Sequence, residues 1–147
     1  MKTLLTLDEA DVASVLNYRE LIPLMAKTLA QFSAGEAQQP VRQVLPIEEN
    51  ERYFGIMPAA TAAGMGAKLV SFYPKNAGTD FHTHLASIVL FDLEHGEPLA
   101  FMDGRLITEM RTAATSAAVT EAVAPRDSSV LAPVSYTHLT LPTTPYV

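Results

Sequence analysis

Hydrophobic positions fall in two rhythms along the chain, helical up to about residue 35 and strand-like beyond residue 40. Leu4 to Leu7 reads as a short strand. Thr6 or Asp8 then caps a helix running through Leu16, with Glu9 in the capping-box position relative to Thr6. From Arg19 to Phe32 the spacing puts Leu21, Met25, Leu29 and Phe32 on one helical face, which predicts a core-packing stripe. Ser33-Ala34-Gly35-Glu36 ends that helix, and Gln38-Gln39-Pro40 is loop.

The second half predicts a sheet. Val41 to Leu45 is extended before Pro46. Arg52 to Met57 and Ala67 to Tyr73 flank a small-residue stretch, Pro58 to Gly66, expected to turn the chain back. Leu85 to Leu93 is a strand with a buried run from Ile88 to Phe91. His95-Gly96 makes its hairpin turn, and Leu99 to Met102 returns. After a turn at Asp103-Gly104, Ile107 to Val123 is an alanine-rich helix ended by Pro125, and Ser128 to Ala132 begins another strand. The fold class is therefore α+β, with a mostly antiparallel or mixed sheet and flanking helices.

Composition narrows the function classes. In 147 residues, 48% are hydrophobic and 18% charged, which suits a globular domain with a real core. A net charge of -6 leaves no basic stripe for nucleic acid. The absence of cysteine excludes thiolate metal sites and cysteine nucleophiles. No run approaches the roughly 18 apolar residues of a membrane span, and the start has no long apolar leader, so cytoplasmic residence is the default. The last stretch, from Val134 to Val147, has no charged residue. It resembles translated sequencing-adapter read-through and is expected to be foreign to the fold.

Some candidate chemistry cancels on inspection. Gly64-Met65-Gly66-Ala67-Lys68 superficially suggests a phosphate loop, but a strand follows it where a helix N-terminus is needed, so a hairpin turn is expected. His82 and His84 would share a face on a strand. They are two of the three or four ligands a metal needs, and the pattern reads as a polar loop leading into the Leu85 strand.

Three cations stand out beside apolar segments: Arg42, Lys68 and Arg111. Lone cations of this kind are usually surface residues with buried stems. Three that converged would make an anion site, with arginine suited to bidentate carboxylate binding. On the last helix Thr108, Arg111, Thr112 and Thr115 lie close together, while Ala113, Ala114, Ala117 and Ala118 leave other faces smooth. That pattern fits a phosphate- or carboxylate-binding face, and equally a tightly packed helix with a solvated threonine face.

Taken in order, Pro40-Val41-Arg42, Met57-Pro58-Ala59, the runs Gly66 to Asn76, His84 to Asp92 and Met102 to Thr108, and above all Arg111-Thr112-Ala113-Ala114-Thr115-Ser116-Ala117 resemble the ornithine cyclodeaminase/mu-crystallin family. The likeness covers about residues 3 to 132. It implies a bilobed homodimer with a substrate-binding and dimerisation lobe over residues 1–127. Residues 128–132 would then open a Rossmann domain for NAD or NADP, whose glycine-rich loop is missing from this chain. Residues 133–147 stand where that loop should begin. It further implies that Arg42, Lys68 and Arg111 hold a substrate carboxylate, and that Thr83, His84 and Ser87 meet the nicotinamide side of the cofactor. Arg111 would touch both ligands, and Thr112 would lie near the cofactor phosphates. The implied substrate is a small amino or imino acid, and the leading expectation is conversion of L-ornithine to L-proline and ammonia. A ketimine or pyrroline-2-carboxylate reductase, an alanine dehydrogenase, and a small-ligand binder without turnover are the alternatives. The catalytic acid of cyclodeaminases lies in the region this chain lacks, so no catalytic residue is named, no metal is expected, and the chain alone is expected to be inactive.

Overall fold

The computed structural model describes residues 3–49 and 51–130. In chain order the elements are β1 (Leu5–Leu7), α1 (Glu9–Val15), α2 (Tyr18–Ser33), β2 (Gln43–Glu48), β3 (Arg52–Thr61), β4 (Gly64–Phe72), a 3-10 turn (Pro74–Asn76), β5 (His84–Phe91), β6 (Pro98–Asp103) and α3 (Arg105–Val123). The strands form one sheet ordered β1-β6-β5-β4-β3-β2. Only the β1–β6 pair is parallel, so the sheet is mixed. An α+β lobe with a mixed sheet and flanking helices is what the sequence predicts.

Local chemistry explains the boundaries, and several differ from expectation. Asp8, not Thr6, caps α1, and Asp11, not Glu9, completes the capping box, with reciprocal bonds of 2.9 and 3.0 Å. Thr6 is committed to β1, opposite Phe101 of β6. Asn17 caps α2 by accepting from the Glu20 amide, and Gly35 ends it in the left-handed region (φ 76°). β2 runs on through Pro46, because an edge strand can hold a residue that donates no ladder bond. The small residues from Pro58 onward are in strands, paired up to Thr61 opposite Gly64, so only Ala62 and Ala63 turn the chain. Gly64 to Lys68 is accordingly strand and not turn. A side chain at Gly66 would stand 2.4 Å from the Val89 carbonyl oxygen, which explains the glycine. Of the strand expected over 128–132, residues 128–130 have no strand pairing. Leu131, Ala132 and the tail lie outside the described residues.

The core is built from small side chains. Among the described residues the buried hydrophobic positions are Val12, Leu21, Ala86, Ala100, Ala113, Ala114 and Ala118, where α1 meets β6, α3 meets β5 and α2 meets α3. Gly104 sets the close approach: its N–H donates to the Ala86 carbonyl at 2.8 Å, and a Cβ there would crowd Ala86 at 3.1 Å. The smooth alanine faces of α3 thus receive α2 and the sheet, not a flat ligand. The stripe on α2 is covered only at its start, for Leu21 is buried while Leu29 and Phe32 are exposed. Strand alternation places Leu45, Ile56, Leu85 and Phe101, all exposed, on the sheet face turned away from α3. Among the described residues no helix is long and apolar enough to cross a membrane.

Candidate functional site

Lys68 sits in the middle of β4, between Met57 of β3 and Ile88 of β5 on the same sheet face. Those apolar neighbours flank its stem, and the ammonium rises toward α3, where Nζ meets Thr108 Oγ1 at 3.4 Å. Arg111 is one turn further along α3 and, like Lys68, half-buried. Arg42 is exposed and immediately precedes β2.

The three cations lie within electrostatic reach of one another. Burial pushes the Lys68 ammonium down to about 8, and the Arg111 and Arg42 charges push the same way. Burial also lowers Arg111, with Arg42 again adding to it. Among the described residues, ion pairs involve Arg52, Lys75, His95 and Arg105 and none of these three cations. Like charges held together without a counterion raise one another's free energy, and an anion would lower it. The donor chemistry fits a carboxylate.

The threonine face takes a different part from the one it suggested. Thr108, Thr112 and Thr115 each donate their hydroxyl proton to the carbonyl four residues back, at 2.6, 2.6 and 2.8 Å. A hydroxyl has one proton, so these oxygens are left as acceptors. Thr108 uses that capacity to orient the Lys68 ammonium, and the donors for an anion are the guanidinium and ammonium groups.

The other positions separate. His84 opens β5 on the Lys68 side of the sheet, opposite Phe72, and four residues of strand put it about 13 Å from the level of Lys68. Thr83 precedes it at the loop neck, where its carbonyl accepts from the Tyr73 amide at 2.8 Å. Thr112 is half-buried on α3 beside Arg111. Ser87 pairs with Leu69 and Asp103, and alternation turns its side chain to the opposite sheet face from Lys68. The structure does not bring Ser87 to the cation cluster. His82 lies in the loop and not on a strand with His84, and no group of three or more metal-ligating side chains forms among the described residues.

Sequence reasoning missed Arg105. Its guanidinium bonds Glu9 of α1 through Nε at 2.9 Å and also through Nη2, and reaches Glu109 through Nη1 at 2.7 Å. The i,i+4 spacing of Arg105 and Glu109 was a readable signal. Nothing in sequence pointed to Glu9.

Comparison with known proteins adds the following. The model of the ornithine cyclodeaminase/mu-crystallin family matches residues 2–136. The chain is similar to the ketimine reductase mu-crystallin of Mus musculus, with 44% identity over 116 residues, covering 76% of this chain and 37% of that protein. It is similar in structure to a Thermococcus litoralis Delta(1)-pyrroline-2-carboxylate reductase solved with NADH and L-proline. There the TM-score is 0.80 and the identity 32%, covering 85% of this chain and 39% of that one. A lysine cyclodeaminase solved for its recognition of L-lysine, L-ornithine and L-2,4-diaminobutyric acid matches with TM-score 0.74 and 28% identity, over 84% of this chain and 39% of that one. The chain thus spans well under half the length of these relatives.

Proposed function

Because the chain belongs to the ornithine cyclodeaminase/mu-crystallin family, we propose that it is the substrate-binding lobe of a nicotinamide-dependent reductase of small cyclic imino acids. The observation that supports this most is that Arg42, Lys68 and Arg111 lie within electrostatic reach of one another without a counterion among the described residues. Such a cluster suits the carboxylate next to a C=N bond. The guanidinium of Arg111 grips that carboxylate from the helix, the Lys68 ammonium from the sheet, and Arg42 from the approach to β2. Fixing it leaves the imine carbon no freedom to turn away, which is how positioning lowers a barrier. When bound, a reduced nicotinamide dinucleotide, NADH or NADPH, supplies the hydride. Thr83 and His84 stand on its nicotinamide side, Arg111 borders both ligands, and Thr112 lies toward the phosphates; Ser87, on the other sheet face, is left out.

The reductase is preferred to the ornithine cyclodeaminase because the relatives of higher identity are a ketimine reductase and a pyrroline-2-carboxylate reductase. Residues 1–127 supply the substrate lobe, and the dinucleotide unit begins at 128–132. The exposed apolar sheet face carrying Leu45, Ile56, Leu85 and Phe101 supports a homodimer through that face.

The test uses the longer protein that bears this segment. Δ1-pyrroline-2-carboxylate should drive oxidation of NADH or NADPH, and L-ornithine should release little ammonia. Ammonia and proline formed from ornithine at equal or higher kcat/KM would sink the reductase in favour of the cyclodeaminase. No turnover of either, with ligand still bound, would leave a binding protein. The 147-residue chain alone is expected to show no turnover.

A further inference from the structure

One matched run, Phe72 to Asn76, has no part in the site described so far. Between β4 and β5 it opens the loop 73–83, whose neck is closed by the Tyr73 amide donating to the Thr83 carbonyl at 2.8 Å. Inside the loop several cross-connections meet at Asn76. Its Nδ2 donates to the His82 carbonyl at 2.9 Å. Its own carbonyl accepts from the Thr79 amide at 3.0 Å and the Thr79 hydroxyl at 2.7 Å. The Thr79 oxygen in turn accepts from the Phe81 amide at 3.2 Å. Gly78, with φ 81°, makes the reversal that lets the second arm return to Asn76.

The loop has little apolar burial to shape it, for Phe81 on its returning arm is exposed. Hydrogen bonds therefore set its form. Thr83 is held on both sides, the peptide before it by Asn76 through the His82 carbonyl and the peptide after it by the Tyr73 amide. We propose that Asn76 is a positioning residue: its side-chain amide fixes the His82 carbonyl, and so the placement of Thr83 and His84 on the cofactor side of the site. This rests on the proposed reductase reading, and it gives Asn76 a part that a loop residue far from the core would otherwise lack.

Asn76→Asp tests it, since the substitution is nearly isosteric and puts a carboxylate oxygen where the donor stood. In the longer protein at pH 7.5, kcat for imino-acid reduction should fall about tenfold or more through misplacement of the cofactor-side residues. KM for the imino acid should stay within about twofold, because Arg42, Lys68 and Arg111 are held by other elements. As pH falls toward the carboxyl range of about 4, the protonated acid regains a donor and the variant-to-wild-type kcat ratio should rise. Asn76→Ala should lose kcat without that pH-dependent recovery, and it replaces the first variant if that one misfolds. Unchanged kcat in both variants, or a rise in KM alone, overturns the proposal. Wild-type inactivity on every imino acid would instead sink the reductase reading. In that event amide chemical shifts decide, and Thr83 and His84 resonances unmoved by Asn76→Asp overturn the positioning role as well.

Discussion

Two arginines on one helix, Arg105 and Arg111, live in opposite surroundings. Arg105 is gripped by Glu9 and Glu109, which hold its guanidinium above the ordinary range while it holds the Glu9 carboxyl below its own. Arg111 faces Lys68 and Arg42 instead, and burial with like charge pushes it down. The first arrangement is complete within the fold and ties α1 to the start of α3. The second has no counterion among the described residues, and an anion bound there would relieve its repulsion. A cation with its counterions fastens the fold, and a group of cations lacking them suits the proposed anion site. That distinction is invisible in residue type.

The largest expected effect breaks the incomplete side. Arg111→Met or Lys68→Met in the longer protein should cut kcat/KM for an imino acid by roughly tenfold to a hundredfold, as expected for losing a charge-assisted bond of about 1.5–3 kcal/mol. Stability should hold or rise, since each change removes a desolvated charge facing like charge. If denaturant midpoints fell instead and kinetics stayed unchanged, the two arginines would be equivalent after all. The helix that presents both is seated through Ala114, which is fully buried. Ala114→Leu should overpack that contact and cost about 1–3 kcal/mol in urea unfolding, with loss of substrate affinity because Thr108 and Arg111 move with the helix. Arg105→Met should cost about 1 kcal/mol, because Glu9 and Glu109 are each well exposed and water screens what they lose. Its KM for the imino acid should stay near wild type, and a large KM rise would erase the contrast.

Most of the architecture was legible because it follows from periodicity and turn chemistry. The hairpin at Gly96, the α2 terminus at Gly35 and the run of α3 all sit where local signals place them. Errors came where a tertiary partner overrode a local preference. Of the two caps the sequence allowed, Thr6 or Asp8, pairing with β6 claims the Thr6 backbone and Asp8 takes the cap. Only the capping-box partner was misplaced, at Glu9 instead of Asp11. Pro46 would end a central strand, yet on the edge β2 continues past it. At the site, residue types suggested the three cations, and only the register of β4 against β5 and the seating of α3 on Ala86 could bring Lys68 toward Arg111. Ser87 shows the same limit from the other side. A motif places it next to Ile88, and a period of two turns it to the opposite face. The threonines on α3 looked like donors because sequence cannot show that each proton is already given to its own helix.

The smallest effect sharpens the contrast through pH. Unfolded, the Lys68 amine titrates near its ordinary value of 10.5; folded and without ligand it titrates near 8. Below about 8 both states hold the proton, and the folded state bears the whole cost of a buried charge beside Arg111 and Arg42. Between about 8 and 10.5 the folded form has released its proton while the unfolded form keeps it, so stability should rise with pH across that window. A carboxylate ligand acts in the opposite sense. It favours the ammonium, so its affinity should be greatest below about 8 and weaken as pH rises through that value. The dissociation constant of L-proline, followed from pH 7 to 9.5 in the longer protein, should therefore increase several-fold, by less than the full shift because Lys68 keeps some contact with water. Lys68→Met should flatten the dependence, whereas Arg105→Met should leave it intact. An affinity that ignores pH in the wild type, or that keeps its slope without Lys68, would mean that this ammonium is not part of the anion site.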